Sequence, residues 1–173
     1  MTEVVDLRDS NDQIKVFDSI ARSKITLVDM RAGLLSETLA LLEEIGFFDL
    51  ARAGKINLAF MHLIGSTIAS FSEIESTAVV LAGLNHFLVL NRTSTAEFFK
   101  TIDSVGKEAL KRGTGIIEIP MLDPVATEHV EAASVGFGDF EKDPAYSFVM
   151  RGKVRTWLKK ANAQIDTAKF NIN

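Results

Sequence analysis

The chain of 173 residues has no cysteine. That one absence removes disulfides, thiolate nucleophiles, zinc–thiolate sites and sulfur redox chemistry together. Long apolar runs are missing too. The longest, such as Val79-Val80-Leu81-Ala82, stop far short of the ~20 residues a membrane helix needs, so no membrane partner is expected. An excess of one charge is also lacking: 19 Lys and Arg against 23 Asp and Glu leave a net charge of −4. No global field gathers nucleic acid, and any such contact must be local. The opening Met1-Thr2-Glu3-Val4-Val5-Asp6 carries acids where a secretory signal carries Lys or Arg ahead of an apolar stretch, so the expected compartment is the cytoplasm. There is no internal repeat, low-complexity tract or Pro/Gly/Ser-rich linker to divide the chain.

What is present is a globular composition, 47% apolar and 24% charged. At this length one domain is expected, able to bury roughly two-thirds of the surface its unfolded form exposes. The apolar pattern alternates between short continuous runs and helical spacing, the mark of strands buried on both faces with crossover helices between them. It predicts strands at 4–7, 25–29, 56–63, 87–90 and 115–119, and helices near 11–22, 36–52, 66–83, 95–112 and 124–134. A last helix is expected near 153–169, within a C-terminal helical extension of about 144–169. Ser66 and Thr95 suit helix starts, and Gly54 and Gly113 suit helix ends. Gly136, Gly138 and Pro144 mark 135–144 as a loop, packed through Phe137 and Phe140. The expected fold is α/β: a single domain over 1–173, mostly a parallel sheet with crossover helices, Rossmann-like. Such sheets bind ligands at the carboxyl ends of their strands.

Those strand ends carry the chemistry. Ile25-Thr26-Leu27-Val28-Asp29-Met30-Arg31-Ala32-Gly33 is an apolar run ending in an acid and a small-residue turn. In nucleotide hydrolases this arrangement sets a carboxylate beside Mg²⁺ or its water and lets a backbone amide approach the γ-phosphate; otherwise Asp29 simply caps the next turn. Phe87-Leu88-Val89-Leu90-Asn91-Arg92 runs into a polar turn where Asn91 either meets a purine edge or caps the chain. After Ile119-Pro120-Met121-Leu122, Asp123 can cap a helix with Pro124 at its first position. Leu63-Ile64-Gly65-Ser66-Thr67 offers free amides for an anion but no basic residue. His62, His86 and His129 share no metal-ligand spacing. Arg151, Arg155 and Lys159 share one face of the last helix, either touching phosphates, DNA included, or solvated with Trp157 docked on the sheet.

Taken together, these segments resemble the later part of the ParA/MinD-type deviant-Walker P-loop ATPases, in particular the divergent branch found on plasmids and near conjugation genes. Leu27 to Gly33 is similar to that family's Walker B and switch region, Leu90-Asn91-Arg92 to its base-contacting turn, and Ile119 to Asp123 to the strand end lining its base pocket. Ile45-Gly46-Phe47-Phe48-Asp49-Leu50-Ala51 resembles the divergent members. The resemblance implies nucleotide contacts at Asp29, Gly33, Asn91, Arg92, Pro120 and Asp123, with Asp29 acting on Mg²⁺ indirectly and only where a P-loop is supplied. It also implies partition, positioning or transfer as the process. The family's Gly-rich loop is missing, since no G-x-x-x-x-G-K-[ST] or K-G-G-x-x-x-[ST] string occurs, and Gly54-Lys55, Gly106-Lys107 and Gly152-Lys153 lack the flanking residues. Without amides and a lysine around the β- and γ-phosphates, hydrolysis loses most of its electrostatic stabilisation. The expectation is a P-loop NTPase-like core without its P-loop unit, a fragment or a pseudo-ATPase. It should bind Mg·ATP only with an upstream loop and not turn ATP over alone. The alternative is a small Rossmann-like interaction module that forms homo-oligomers or docks a protein partner without catalysis.

Overall fold

The computed structural model describes residues 4–30, 33–64, 73–92 and 115–168. The chain divides into two compact units, Met1–Phe47 and Phe48–Asn173.

In the first unit α1 (Ser10–Arg22) starts at Asp9, whose carboxylate accepts from the amides of Asn11 and Asp12 at 2.8 and 3.2 Å. Such a cap satisfies donors that have no partner inside the helix. The second helix, α2 (Leu35–Glu44), buries Thr38, Leu39 and Leu42. The single helix expected over 36–52 is in fact two. Gly46 takes φ +71 and closes α2, and α3 (Phe47–Arg52) begins immediately after it. A left-handed residue ends a helix by turning its amide back onto the preceding turn, and here the Gly46 amide reaches the carbonyl of Glu43 at 3.0 Å.

Two expected strands of this unit do not form. Residues 4–7 and 24–30 have no regular structure, and Ile25 and Leu27 stand 67% and 88% exposed. The run from Ile25 to Asp29 has strand composition but no ladder partner among the described residues, and composition without cross-strand neighbours does not make a strand.

The second unit holds the sheet: β1 (Ala59–Ile64), β2 (Asn85–Asn91) and β3 (Gly115–Ile119), parallel and in that order. The expected α/β class and parallel pairing hold for these three strands. Ala59 pairs with Asn85, Ile64 with Leu90, Phe87 with Gly115 and Asn91 with Ile119. β2 lies between two partners, and its five central residues are all buried. Side chains alternate along a strand, so Phe87 and Val89 share one face and Leu88 and Leu90 the other. Phe87 lies over Gly115, where an added Cβ would stand 2.6 Å from the ring. Glycine is therefore required opposite that phenylalanine. α3 meets β1 through Phe48 and Phe60, ring centroids 6.0 Å apart, and Arg52 donates to the carbonyl of Val80 at the end of α4 (Ile74–Val80).

After β3 come α5 (Pro124–Ala133), α6 (Phe137–Lys142) and α7 (Phe148–Thr167). Segment 137–142, expected as loop, is helical. Gly138 disfavours a helix, but Phe140 is fully buried and stacks on Tyr146 at 4.4 Å, and tertiary packing overrides propensity. Phe140 joins Ala126, Val130 and Val154 in one core cluster. A second cluster sets Ile165 and Ala168 against Phe87, Val89, Ile117 and Ile119. The stripe Val154, Leu158, Ala161, Ile165 has helical spacing. α7 thus packs on α5 and α6 with its first half and on the sheet with its second, starting five residues earlier than expected. It belongs to the core of this unit. The expected helices at 66–83 and 95–112 lie partly and wholly outside the described residues, as do the caps Ser66, Thr95 and Gly113 and the anion candidate at Gly65 to Thr67.

Candidate ligand site at the carboxyl edge of the sheet

Parallel pairing delivers the carboxyl ends of β2 and β3 to one edge, and Asn91, Arg92, Pro120 and Asp123 gather there. Asn91 ends β2 opposite Ile119. One residue on, the amide of Arg92 donates to the carbonyl of Ile119 at 3.1 Å and extends the ladder. By alternation Asn91 lies on the Phe87–Val89 face, the side α7 covers.

Most of these polar groups are already engaged by neighbours. The guanidinium of Arg92 grips Glu118 in a two-point contact, Nη2 to Oε1 at 2.7 Å and Nε to Oε2 at 3.2 Å. A half-exposed pair of this kind contributes about 0.5 kcal/mol and serves mainly to fix Arg92 in place. The carbonyl of Pro120 accepts from the indole Nε1 of Trp157 at 2.6 Å, which pins α7 to the end of β3. Asp123 caps α5 by accepting from the Ala126 amide at 3.1 Å, with Pro124 in the first turn, and its other oxygen meets Lys153 at 2.7 Å. The Lys153 ammonium first, and the Ala126 amide second, hold its carboxyl below the ordinary aspartate range. Asp123 therefore stays ionised as a structural anion.

Asp29 and Gly33 belong to the first unit. Asp29 sits in the irregular segment 24–30 and is exposed, and Gly33 has φ +85 with open space around it. Its glycine is explained by the left-handed backbone alone.

Of the three histidines, His86 behaves as a residue of the core, whereas His129 is exposed. His86 on β2 is 4% exposed, and its ring lies 6.1 Å from that of His62 on β1. Burial first, and the neighbouring His62 second, push its pKa down to about 4, so the ring is neutral at pH 7. No group of three metal-ligating side chains occurs among the described residues. Of the cationic face on α7, Arg151 donates to the Tyr146 carbonyl and lies 6.0 Å over the Phe148 ring, and Arg155 binds Glu141 at 3.1 Å. Two of the three cations considered for phosphate contact are thus tied to protein groups. Among the described residues no helix is long and apolar enough to cross a membrane.

Beside the edge lies a cleft of about 560 Å³ between the β3–α5 turn and the first half of α7. Met121 and Asp123 form part of one wall, and Phe148, Gly152, Trp157 and Lys160 part of the other. Pattern reading of the sequence missed it, because its walls come from segments some thirty residues apart in the chain. Its traces in the sequence are Gly152 inside a helical run and the apolar pair Phe148-Val149 at the start of that run. Comparison with known proteins produced no match to a family model, a curated protein or a solved structure.

Proposed function

We propose that this chain is a nucleotide-binding α/β domain of the ParA/MinD type, serving plasmid or chromosome partition or a related positioning or transfer system, and that it does not hydrolyse ATP by itself. The observation that carries the reading is the parallel β2–β3 pair, which sets Asn91, with its paired amide donor and acceptor, one ladder step from Pro120 at the carboxyl edge. A primary amide there matches the donor–acceptor edge of a purine, and a proline ring is an apolar group suited to flank a base. Phosphate recognition is the weak half of the site. Arg92 is held by Glu118 and Lys153 by Asp123, and the 173 residues contain no Gly-rich lysine loop. Base contacts give orientation and modest affinity, whereas tight binding needs amides and a cation around the β-phosphate. Asp29 acts near Mg²⁺ only where such a loop is supplied.

Calorimetric titration with Mg·ATP tests this. The expected result is weak, millimolar binding lost in Asn91→Ala and unchanged in Asp29→Ala, with phosphate release at background. Micromolar binding that Asp29→Ala weakens contradicts it. A second reading, an interaction module, is favoured by one observation: Phe148 and Val149 at the start of α7 stand 79% and 58% exposed beside the cleft.

A further inference from the structure

The first half of α7 carries a notch that none of the described residues fills. Gly152 lies inside the helix, where glycine is a poor choice, and a Cβ placed there would meet nothing within 4 Å. The glycine is needed neither for a left-handed backbone nor for packing against the described residues. It leaves a notch in the wall of the cleft, flanked by Phe148, Val149 and Trp157 and faced by Met121. Exposed apolar side chains gathered around a backbone notch mark a place where another backbone comes close.

Charge identifies the visitor. α7 carries Arg151, Lys153, Arg155, Lys159 and Lys160 against the single acid Asp166, in a chain whose net charge is −4. Of the cations lining the cleft, Lys153 is paired with Asp123, while Lys160 has no acidic partner among the described residues. A polyanion such as RNA is disfavoured here, because Asp123 sits in the cleft and the net charge of the chain repels an extended phosphate backbone. A second copy is disfavoured as well, since crossing two such helices brings like charges together. A segment with an apolar stripe and only a few acids meets the local positive field without that penalty.

We propose that the cleft receives a short acidic amphipathic helix of a partner protein. Its apolar residues seat on Met121, Phe148 and Trp157, its backbone crosses α7 at Gly152, and a carboxylate pairs with Lys160. This extends the interaction-module reading and stands whether or not a nucleotide binds at Asn91.

The chain has one tryptophan, Trp157, in the wall of the cleft, so its fluorescence reports occupancy. The probe is a 16-residue Ala-based helical peptide with Leu at helical spacing and three flanking Glu, set beside its Glu→Lys counterpart and an eight-residue oligothymidylate. Saturable emission change is expected with the acidic peptide only, weakened at least about fivefold by Gly152→Leu and by Lys160→Glu. The basic peptide should regain affinity for Lys160→Glu. Circular dichroism should find α7 intact in Gly152→Leu, because leucine is the better helix former. Several outcomes overturn the proposal: no saturation at 1 mM acidic peptide, equal binding of the basic peptide, affinity untouched by Gly152→Leu, or tighter binding of the oligonucleotide. Sedimentation that reveals a dimer lost in Gly152→Leu would assign the cleft to a second copy and overturn it too.

Discussion

Ile25-Thr26-Leu27-Val28 and Phe87-Leu88-Val89-Leu90 are nearly equivalent as strings, yet one is an exposed irregular segment and the other the most buried strand of the sheet. The difference is the neighbours. β2 has β1 on one side and β3 on the other, satisfying its backbone groups, while a helix covers its Phe87–Val89 face. Residues 25–28 have no ladder among the described residues. An apolar run is a claim on a partner, and only the partner makes it a strand.

The sharpest way to break this contrast is mutational. Phe140→Ala, in the cluster with Val130 and Val154, should cost about 3–5 kcal/mol in urea unfolding, while Leu27→Ala should stay within about 0.5 kcal/mol. Comparable losses at the two positions would show that residues 25–28 are packed after all. Next in size is Gly115→Val, which drives a side chain into the Phe87 ring and should cost about 1–3 kcal/mol. Pairing it with Phe87→Leu should recover part of that loss, and additive costs would rule out the ring as the obstacle.

A third effect is set by pH. His86 is neutral in the fold with a pKa of about 4, whereas the unfolded chain takes up the proton near 6.5. The unfolded state therefore binds more protons between those values. Stability should be full above pH 6.5, fall as the pH drops toward 4 and level off below, by roughly 1–2 kcal/mol once solvent screening is allowed for. His86→Phe should flatten this part of the profile, and an unchanged slope would assign it to other groups. The smallest effect, about 1 kcal/mol, is expected for Trp157→Phe, which removes the donor to the Pro120 carbonyl while keeping an aromatic ring against Phe137. Hydrogen exchange at Met121 should rise with it.

How far the sequence carried the reading follows from the same contrast. β2, β3 and the Asp123–Pro124 helix start were legible because local signals and tertiary partners agree there. Residues 25–29 misled because the signal was present and the ladder was not. Segment 137–142 misled in the opposite sense, Gly138 outweighed by the burial of Phe140. At the site, the strand-end rule brought Asn91 and Pro120 to one edge. The pairing of Arg92 with Glu118 was illegible because it depends on the register of β2 with β3. The cleft was hidden for a similar reason, as its walls meet only once α7 has docked through Trp157.

The central functional claim is a base-reading edge without a phosphate grip. Amide chemical shifts followed during separate titrations with adenosine and Mg·ATP address it directly. The amides of Asn91, Ile119 and Met121 should move alike with both ligands in the millimolar range, since the phosphates add no contact. Silence at those amides with either ligand, or micromolar response to Mg·ATP with adenosine inert, would contradict it.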